Sequence, residues 1–322
     1  MGNLLYFVIP CYNEEAVLPE TAKRLEETIA SLIGEQLIDP KSRVCFVNDG
    51  SKDRTWELIE ELHAKNPLFS GINLSRNRGH QNALLAGLMT VRSICDMAIS
   101  MDADLQDDIR ASREMILKYR EGCDIVYGVR SARDTDTFFK RCTAEAFYSI
   151  INGMGASVVS NHADYRLLSR RALEGLASFQ EVNLFLRGIV PMIGYKSDIV
   201  YYERAERFAG ESKYPLRKML SFAAEGITSL STKPIQMITG LGFTIFACSI
   251  IILIYSLIRH ATGHTIVGWT FLAVSIWAIG GLILLSLGII GEYIGKIYLE
   301  TKARPRYLVE RFLDEEHGFT TR

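Results

Sequence analysis

The sequence predicts an α/β fold: a mainly parallel sheet with helices on both faces, followed by a juxtamembrane amphipathic helix and two transmembrane helices. Three observations carry that expectation. Short apolar runs without helical period alternate with helical patterns through the first part of the chain. Two long uncharged runs lie near the C-terminus, and amphipathic stretches precede them. The 322 residues then divide into a soluble domain (1–213), a juxtamembrane amphipathic helix (214–234), a transmembrane hairpin (235–291) and a C-terminal tail (292–322).

The strand-like runs are Leu4–Ile9, Val44–Val47, Ile72–Leu74, Met97–Met101 and Ile125–Tyr127. Helical patterns fill the gaps at Ala16–Ile33, Thr55–Ala64, Asn82–Val91 and Ile109–Tyr119. Alternation of this kind implies βαβ units, whose strands are buried on both faces and so read as continuous apolar runs. Ligands of open α/β sheets bind beyond the carboxyl ends of the strands. The residues there are PCYNEE (Pro10–Glu15), NDGSKD (Asn48–Asp53), SRNRG (Ser75–Gly79) and DADLQ (Asp102–Gln106). They are polar, acidic and glycine-containing, as a site for a nucleotide diphosphate and a metal needs to be. No GxGxxG or GxxxxGK[ST] follows a strand, which disfavours dinucleotide-binding and P-loop readings.

Within these loops, Asp102 and Asp104 are two apart, so an extended backbone would point both carboxylates to one side. Hard oxygen ligands of this type suit a divalent cation acting as a Lewis acid, with Gln106 adding an amide oxygen. Asp134 and Asp136 share the spacing but follow no strand and read as solvated loop. Asp49 is either a turn residue or an acceptor for a base or ribose, and Asp53 reads as a cap for the helix after it. The six histidines show no ligand spacing, and His80 and His162 read as satisfied loop residues. The six cysteines are scattered, as small core residues of a reducing compartment would be.

Ile235–Ile258 holds 24 residues without a formal charge, and Thr265–Gly291 holds 27. At ~1.5 Å per residue either crosses a hydrocarbon core of about 30 Å. The short connection Arg259–His264 forces an antiparallel hairpin. Arg217, Lys218 and Lys233 precede it, and Lys296, Lys302, Arg304, Arg306 and Arg311 follow, against Arg259 alone in the loop. That asymmetry places both termini in the cytosol of a multi-pass protein of the cell (inner or plasma) membrane. Tyr214–Thr232 and Phe139–Ile151 each gather apolar residues on one helical face, as helices in the headgroup region do. Leu4–Ile9 is too short for a secretory signal. A net charge of −1 argues against nucleic acid as a partner.

Taken in order, VIPCYNE (Val8–Glu14), VNDGSKD (Val47–Asp53), LSRN (Leu74–Asn77), MDADLQ (Met101–Gln106), RFAGESKY (Arg207–Tyr214), GEYIG (Gly291–Gly295) and KARPRY (Lys302–Tyr307) resemble one family. It is the inverting, GT-A-type family 2 glycosyltransferases that act on polyprenyl phosphates, dolichol-phosphate mannose synthases and bactoprenol-phosphate glucosyltransferases among them. The resemblance implies that Pro10, Tyr12, Glu14 and Asp49 hold the nucleoside. It implies that Asp102, Asp104 and Gln106 handle metal (Mg²⁺ or Mn²⁺) and diphosphate, and that Arg207, Ser212 and Lys213 close over the phosphates. Asp164 matches a family aspartate, as an orienting residue or a partner for an arginine more than an obligatory base. Arg130, after the last predicted strand, and Arg141, in the first amphipathic stretch, are the candidates for holding the acceptor phosphate. The chain departs from the family in having Ala163 where glycine is frequent, and Asp107-Asp108-Ile109 where prolines are.

The resulting expectation is transfer of a hexose, with UDP-glucose as donor, to a polyprenyl phosphate in the bilayer, with inversion at the anomeric carbon. UDP-N-acetylglucosamine as donor, diacylglycerol as acceptor and a tethered, non-catalytic nucleotide-sugar-binding scaffold are the rivals. A homo-oligomer stays open. A processive polysaccharide synthase is disfavoured by the lack of a Gln-x-x-Arg-Trp segment.

Overall fold

The computed structural model describes residues 2–131, 162–182, 184–203, 233–262 and 269–320. The amphipathic stretches Phe139–Ile151 and Tyr214–Thr232, and with them Asp134, Asp136, Arg141, Arg207, Ser212 and Lys213, lie outside the described residues.

The first half follows the predicted alternation: β1 (Leu5–Cys11), α1 (Leu18–Gly34), β2 (Arg43–Asn48), α2 (Thr55–Lys65), β3 (Phe69–Leu74), α3 (His80–Val91), β4 (Met97–Ser100), α4 (Ala111–Arg120) and β5 (Ile125–Arg130). Then come β6 (His162–Ser169), α5 (Arg170–Ala177), α6 (Leu186–Met192), β7 (Ser197–Tyr202), α7 (Lys233–Ala261), α8 (Trp269–Lys302), β8 (Val309–Leu313) and β9 (Phe319–Thr320). One nine-stranded sheet runs β7-β5-β6-β4-β1-β2-β3-β8-β9. The central strands β4, β1, β2 and β3 are mutually parallel. β6 is antiparallel to β4 and β5, and β8 to β3 and β9, so the sheet is parallel at its centre and mixed toward its ends.

β1 shows why the apolar runs lack alternation. Leu5, Phe7 and Ile9 enter one core with Leu18, Leu25 and Ile29 of α1, while Tyr6 and Val8 enter another with Leu84 and Leu88 of α3. Both faces of the strand are covered, so every position is apolar. Helix α1 starts at a proline in its first turn and buries Leu18, Ala22, Leu25, Ile29 and Leu32, a stripe at helical spacing. Truncating Leu25 to alanine would cost about 2–5 kcal/mol. Helix α3 presses close to the sheet at Gly87, where an added Cβ would lie 2.3 Å from Val8 Cγ1.

Helix α8 continues to Lys302, and the segment expected as a tail supplies β8 and β9. The chain forms two compact units, and residues 304–322 belong to the one containing the sheet. There Ser75 N donates to Leu308 O (3.1 Å), Asn73 Nδ2 to Glu310 Oε2 (2.9 Å) and Tyr6 OH to Asp314 Oδ2 (3.0 Å). The charges of Val309–Leu313 suit an outer strand: Glu310 and Arg311 are exposed, while Phe312 and Leu313 are buried.

The second unit contains α7 and α8, of 29 and 34 residues, which touch each other. Apolar side chains point outward along both, including Met237, Phe243, Ile254 and Ile258 of α7 and Ile276, Leu284, Leu285 and Ile297 of α8. Among the described residues one segment, Ile279–Lys302, is long and apolar enough to cross a membrane, where two spans were expected.

Candidate active site

The carboxyl ends of β1 to β4 meet in a cavity of about 380 Å³. Of the residues singled out in the sequence, it gathers Pro10, Tyr12, Glu14, Asp49, Asp102, Asp104 and Asp164. It also takes in Asn77, His80 and Arg187. Gln106 and Arg130 are not among its lining residues.

The floor is built by loops that tie one another down. Asp49, buried at 2% exposure, accepts from Arg78 N (2.7 Å) through Oδ1 and from Gly79 N (2.9 Å) through Oδ2. Both oxygens therefore shape the loop after β3, a role the turn-or-ligand alternatives did not include. Burial raises its pKa, against the pull of those two amides. Gly50, at φ +63°, fits where an added Cβ would come within 2.5 Å of Asn77 N. Asn13 Oδ1 accepts from Lys52 N (2.9 Å), and Glu14 N donates to Thr55 Oγ1 (2.9 Å). Asp53 Oδ1 accepts from Thr55 N (3.1 Å) at the start of α2, one residue ahead of the cap position, which Arg54 occupies. Tyr12 stands at the rim, 43% exposed, an open ring suited to stacking on a base.

Asp102 and Asp104 share the cavity, though not by strand alternation. β4 ends at Ser100, so both carboxylates sit on the turn beyond it. Asp104 Oδ1 accepts from Gln106 N (3.2 Å), which closes that turn and engages the backbone of Gln106. Asp102 Oδ1 is sealed from solvent and accepts no hydrogen bond, with His80 Nε2 3.4 Å away. Burial foremost, with Asp164, Asp107 and Asp104 adding, pushes the Asp102 pKa up to about 6, although His80 opposes it. Burial pulls the His80 pKa down, but its hydrogen bond to Asp164 and the charge of Asp102 outweigh that and raise it. His80 is thus an active part of the cavity, where the sequence suggested a satisfied loop histidine. It missed because a lone histidine carries no spacing signal.

Asp164 is the reverse case. It lies in β6 two residues before Arg166, which pairs with Ser100 at the end of β4, and on the same side of β6 as Arg166 and Leu168. Arg166 Nη2 donates to its Oδ1 from a fully buried position. Arg187 donates from Nη2 to Oδ2 (3.2 Å) and from Nε to Oδ1 (3.4 Å), and His80 Nε2 lies 3.6 Å from Oδ2. Burial alone would raise its pKa; the hydrogen bond from His80 and the charges of Arg166 and Arg187 hold it well below the usual carboxylate range. The family resemblance matches Asp164, Tyr165 and Arg166 to one motif and leaves Asp164 as a partner for Arg130 or Arg141; it does not single out Arg187, which sits in an apolar stretch without a motif.

Arg130 sits apart from the cavity. Its Nη2 donates to Asp107 Oδ1 (3.2 Å) and its Nε to Tyr202 OH (3.2 Å), while Tyr202 OH donates to the same carboxylate oxygen (2.6 Å). The sequence reading has it hold the acceptor phosphate; among the described residues its carboxylate partner is Asp107.

Among the described residues no three His, Cys, Asp or Glu side chains converge as a protein-only cation cage. The donor set still fits a hard divalent cation. Two carboxylates share one wall, Asp102 Oδ1 has no hydrogen-bond donor, and ions such as Mg²⁺ take one or two carboxylates with the rest of their shell from substrate phosphates and water.

The family model for glycosyl transferase family 2 matches residues 6–176. Over 307 residues the chain is 54% identical to the uncharacterized glycosyltransferase YkoT of Bacillus subtilis (strain 168), covering 95% of this chain and 91% of that one. It is 39% identical over 305 residues to the bactoprenol glucosyl transferase of Shigella phage SfX, covering 94% and 97%. A prophage bactoprenol glucosyl transferase homolog of Escherichia coli (strain K12) is 38% identical over 306 residues, covering 94% and 97%.

Proposed function

The chain belongs to glycosyl transferase family 2, and on that premise we propose that it transfers glucose from UDP-glucose to a polyprenyl phosphate at the cytosolic face of a membrane, with inversion. The observation that carries the choice of acceptor is the state of Asp164. A hydroxyl acceptor needs a base to take its proton as it attacks. Asp164, held by two arginines and His80 with its pKa well below the usual range, is a poor proton acceptor. A phosphate monoester has a second pKa near ~6 and arrives largely deprotonated at neutral pH, so no base is required.

In this reading Tyr12 stacks on the uracil, and Pro10, Glu14 and the loop braced by Asp49 shape the nucleoside pocket. Asp102, Asp104 and Gln106 would hold Mg²⁺ or Mn²⁺. When bound, the cation supplies Lewis-acid neutralisation of the departing diphosphate. Arg207, Ser212 and Lys213 would cover the phosphates, while Arg130 and Arg141 would meet the lipid phosphate. Helices α7 and α8, with their outward apolar side chains, would form a two-span hairpin that keeps the enzyme beside an acceptor confined to the bilayer. Both termini would then be cytosolic.

The test is incubation of membranes containing the protein with a panel of nucleotide sugars and an acidic polyprenyl lipid, weighing the lipid product by mass spectrometry. A polyprenyl phosphate heavier by one hexose, formed from UDP-glucose, is the expected result. A hexosylated diacylglycerol, or hydrolysis of donor with no lipid product, would overturn it. A cysteine placed near His264 should be labelled from outside intact cells, and tags at the termini should not.

A further inference from the structure

Asp164 has more cations around it than its charge requires. Arg166, buried behind it, already compensates the carboxylate. Arg187 adds a second guanidinium and grips both carboxylate oxygens side-on, at 3.2 and 3.4 Å. The two arginines differ in access: the Arg166 side chain is 1% exposed and that of Arg187 32%. Arg187 lines the cavity with Asp102 and Asp104, and among the described lining residues it is the one arginine.

Its position is built from distant parts of the chain. Leu186 N donates to Gln81 Oε1 (2.9 Å) in the first turn of α3, and Leu186 O accepts from Arg166 Nη1 (3.3 Å). The backbone beside Arg187 is therefore fixed from α3 and β6, and its guanidinium is fixed by Asp164. A fork immobilised before its ligand arrives loses little further freedom on binding, which favours bidentate capture of phosphate oxygens. The rest of the lining supplies the need for such a group. Glu14, Asp49, Asp102 and Asp104 would repel an anion, and the charge of Asp164 is already cancelled by Arg166.

We propose that Arg187 is a phosphate-binding residue of this cavity, its guanidinium braced by Asp164 and presented beside Asp102 and Asp104. This rests on the glycosyl-transfer reading, which brings two phosphate ligands to the site: the diphosphate of the donor and the monoester of the acceptor. Asp164 then acts through Arg187 as a positioning residue.

The experiment compares the full-length wild type with Arg187→Gln and Arg187→Met in lipid nanodiscs, using whichever variant keeps the wild-type Tm. Affinities for UDP and for uridine are measured with Mg²⁺ by calorimetry, and KM is measured for polyprenyl phosphate. Loss of one charge-assisted contact should weaken a phosphate ligand about 10- to 100-fold and leave uridine binding unchanged. Weaker UDP binding assigns the contact to the donor; a raised KM for polyprenyl phosphate with unaltered UDP binding assigns it to the acceptor. Unchanged values for both phosphate ligands, or equal losses for uridine and UDP, overturn the proposal. If the wild type glycosylates no polyprenyl phosphate, the acceptor reading fails, and the comparison of UDP with uridine still decides Arg187.

Discussion

Asp102, on the turn after β4, and Asp164, on β6, lie beside the same imidazole, yet their surroundings drive them in opposite directions. Asp102 is half-buried, with one oxygen sealed from solvent and accepting no hydrogen bond, and its pKa rises to about 6. Asp164 is the more deeply buried of the two, but it has Arg166 and Arg187 on its oxygens, and its pKa falls. Burial raises both; the count of adjacent cations decides the outcome. The underpaired carboxylate is suited to attract a metal, and the overpaired one is suited to hold arginines in place. Residue type and loop position alone assign neither role.

The largest effect should come from removing charge on the underpaired side. Asp102→Asn and Asp104→Asn should each lower turnover on the order of 10³-fold or more, while the metal-free variants keep or raise their Tm. Near-normal single-turnover rates in either variant would break the comparison. Chelation should mimic the loss in the wild type, and Mg²⁺ or Mn²⁺ should reverse it.

On the overpaired side the effect should fall on stability. Asp164→Asn leaves Arg166 buried without its carboxylate and should cost about 3–5 kcal/mol in denaturant unfolding. Replacing both, as Asp164→Asn with Arg166→Met, should recover part of that loss, because the uncompensated charge goes with it. A single variant as stable as wild type would show that Asp164 does not anchor Arg166.

A smaller and more diagnostic signal lies in the pH dependence of the metal-free protein. The folded pKa of Asp102 is above its unfolded value, so the folded state binds the extra proton. Stability should decline as pH rises from about 4 through 6, and Asp102→Asn should flatten that decline. Asp164 has the opposite sign: its contribution is present above the ordinary carboxylate pKa and is lost as pH falls through its depressed folded value. Tm measured from pH 3 to 8 on wild type and both variants separates the two; identical profiles would sink the contrast.

The smallest effect is expected outside the pair. Arg130→Lys loses the fork that reaches Asp107 and Tyr202, and Arg141→Ala removes a charge from the first amphipathic stretch. Each should raise KM for polyprenyl phosphate several-fold, a loss of about 1 kcal/mol, with UDP binding unchanged. If both turn over the lipid normally, the acceptor phosphate is held by other groups.

The sequence made the local part of this site legible. The four loops after β1 to β4 are contiguous motifs at strand ends; the rule that ligands bind there pointed to Asp49, Asp102 and Asp104, and the family resemblance added Tyr12, without any three-dimensional information. What escaped it depends on pairing across distance. β6 places a charged pair, Asp164 and Arg166, on one face of a buried strand, so no apolar run marked the strand, although the family resemblance picked out Asp164. Arg187 lies in an apolar stretch and acquires meaning only when Gln81 and Arg166 fix its backbone. Val309–Leu313 looked like a tail because an outer strand can keep charged residues on its exposed positions. Helix positions were read to within a few residues, since burial stripes repeat locally, as in α1.

The return of the chain to β3 sets an order of assembly during synthesis. Asn73 and Glu310, which bond at the edge of the sheet, are 237 residues apart. When β3 and the loop that follows it leave the ribosome, their outer neighbour has not been translated, and the two long apolar helices must emerge first. The edge of β3 therefore waits, unpaired, through the interval in which those helices leave the ribosome. Until β8 arrives, that edge is exposed to edge-to-edge pairing with other nascent chains.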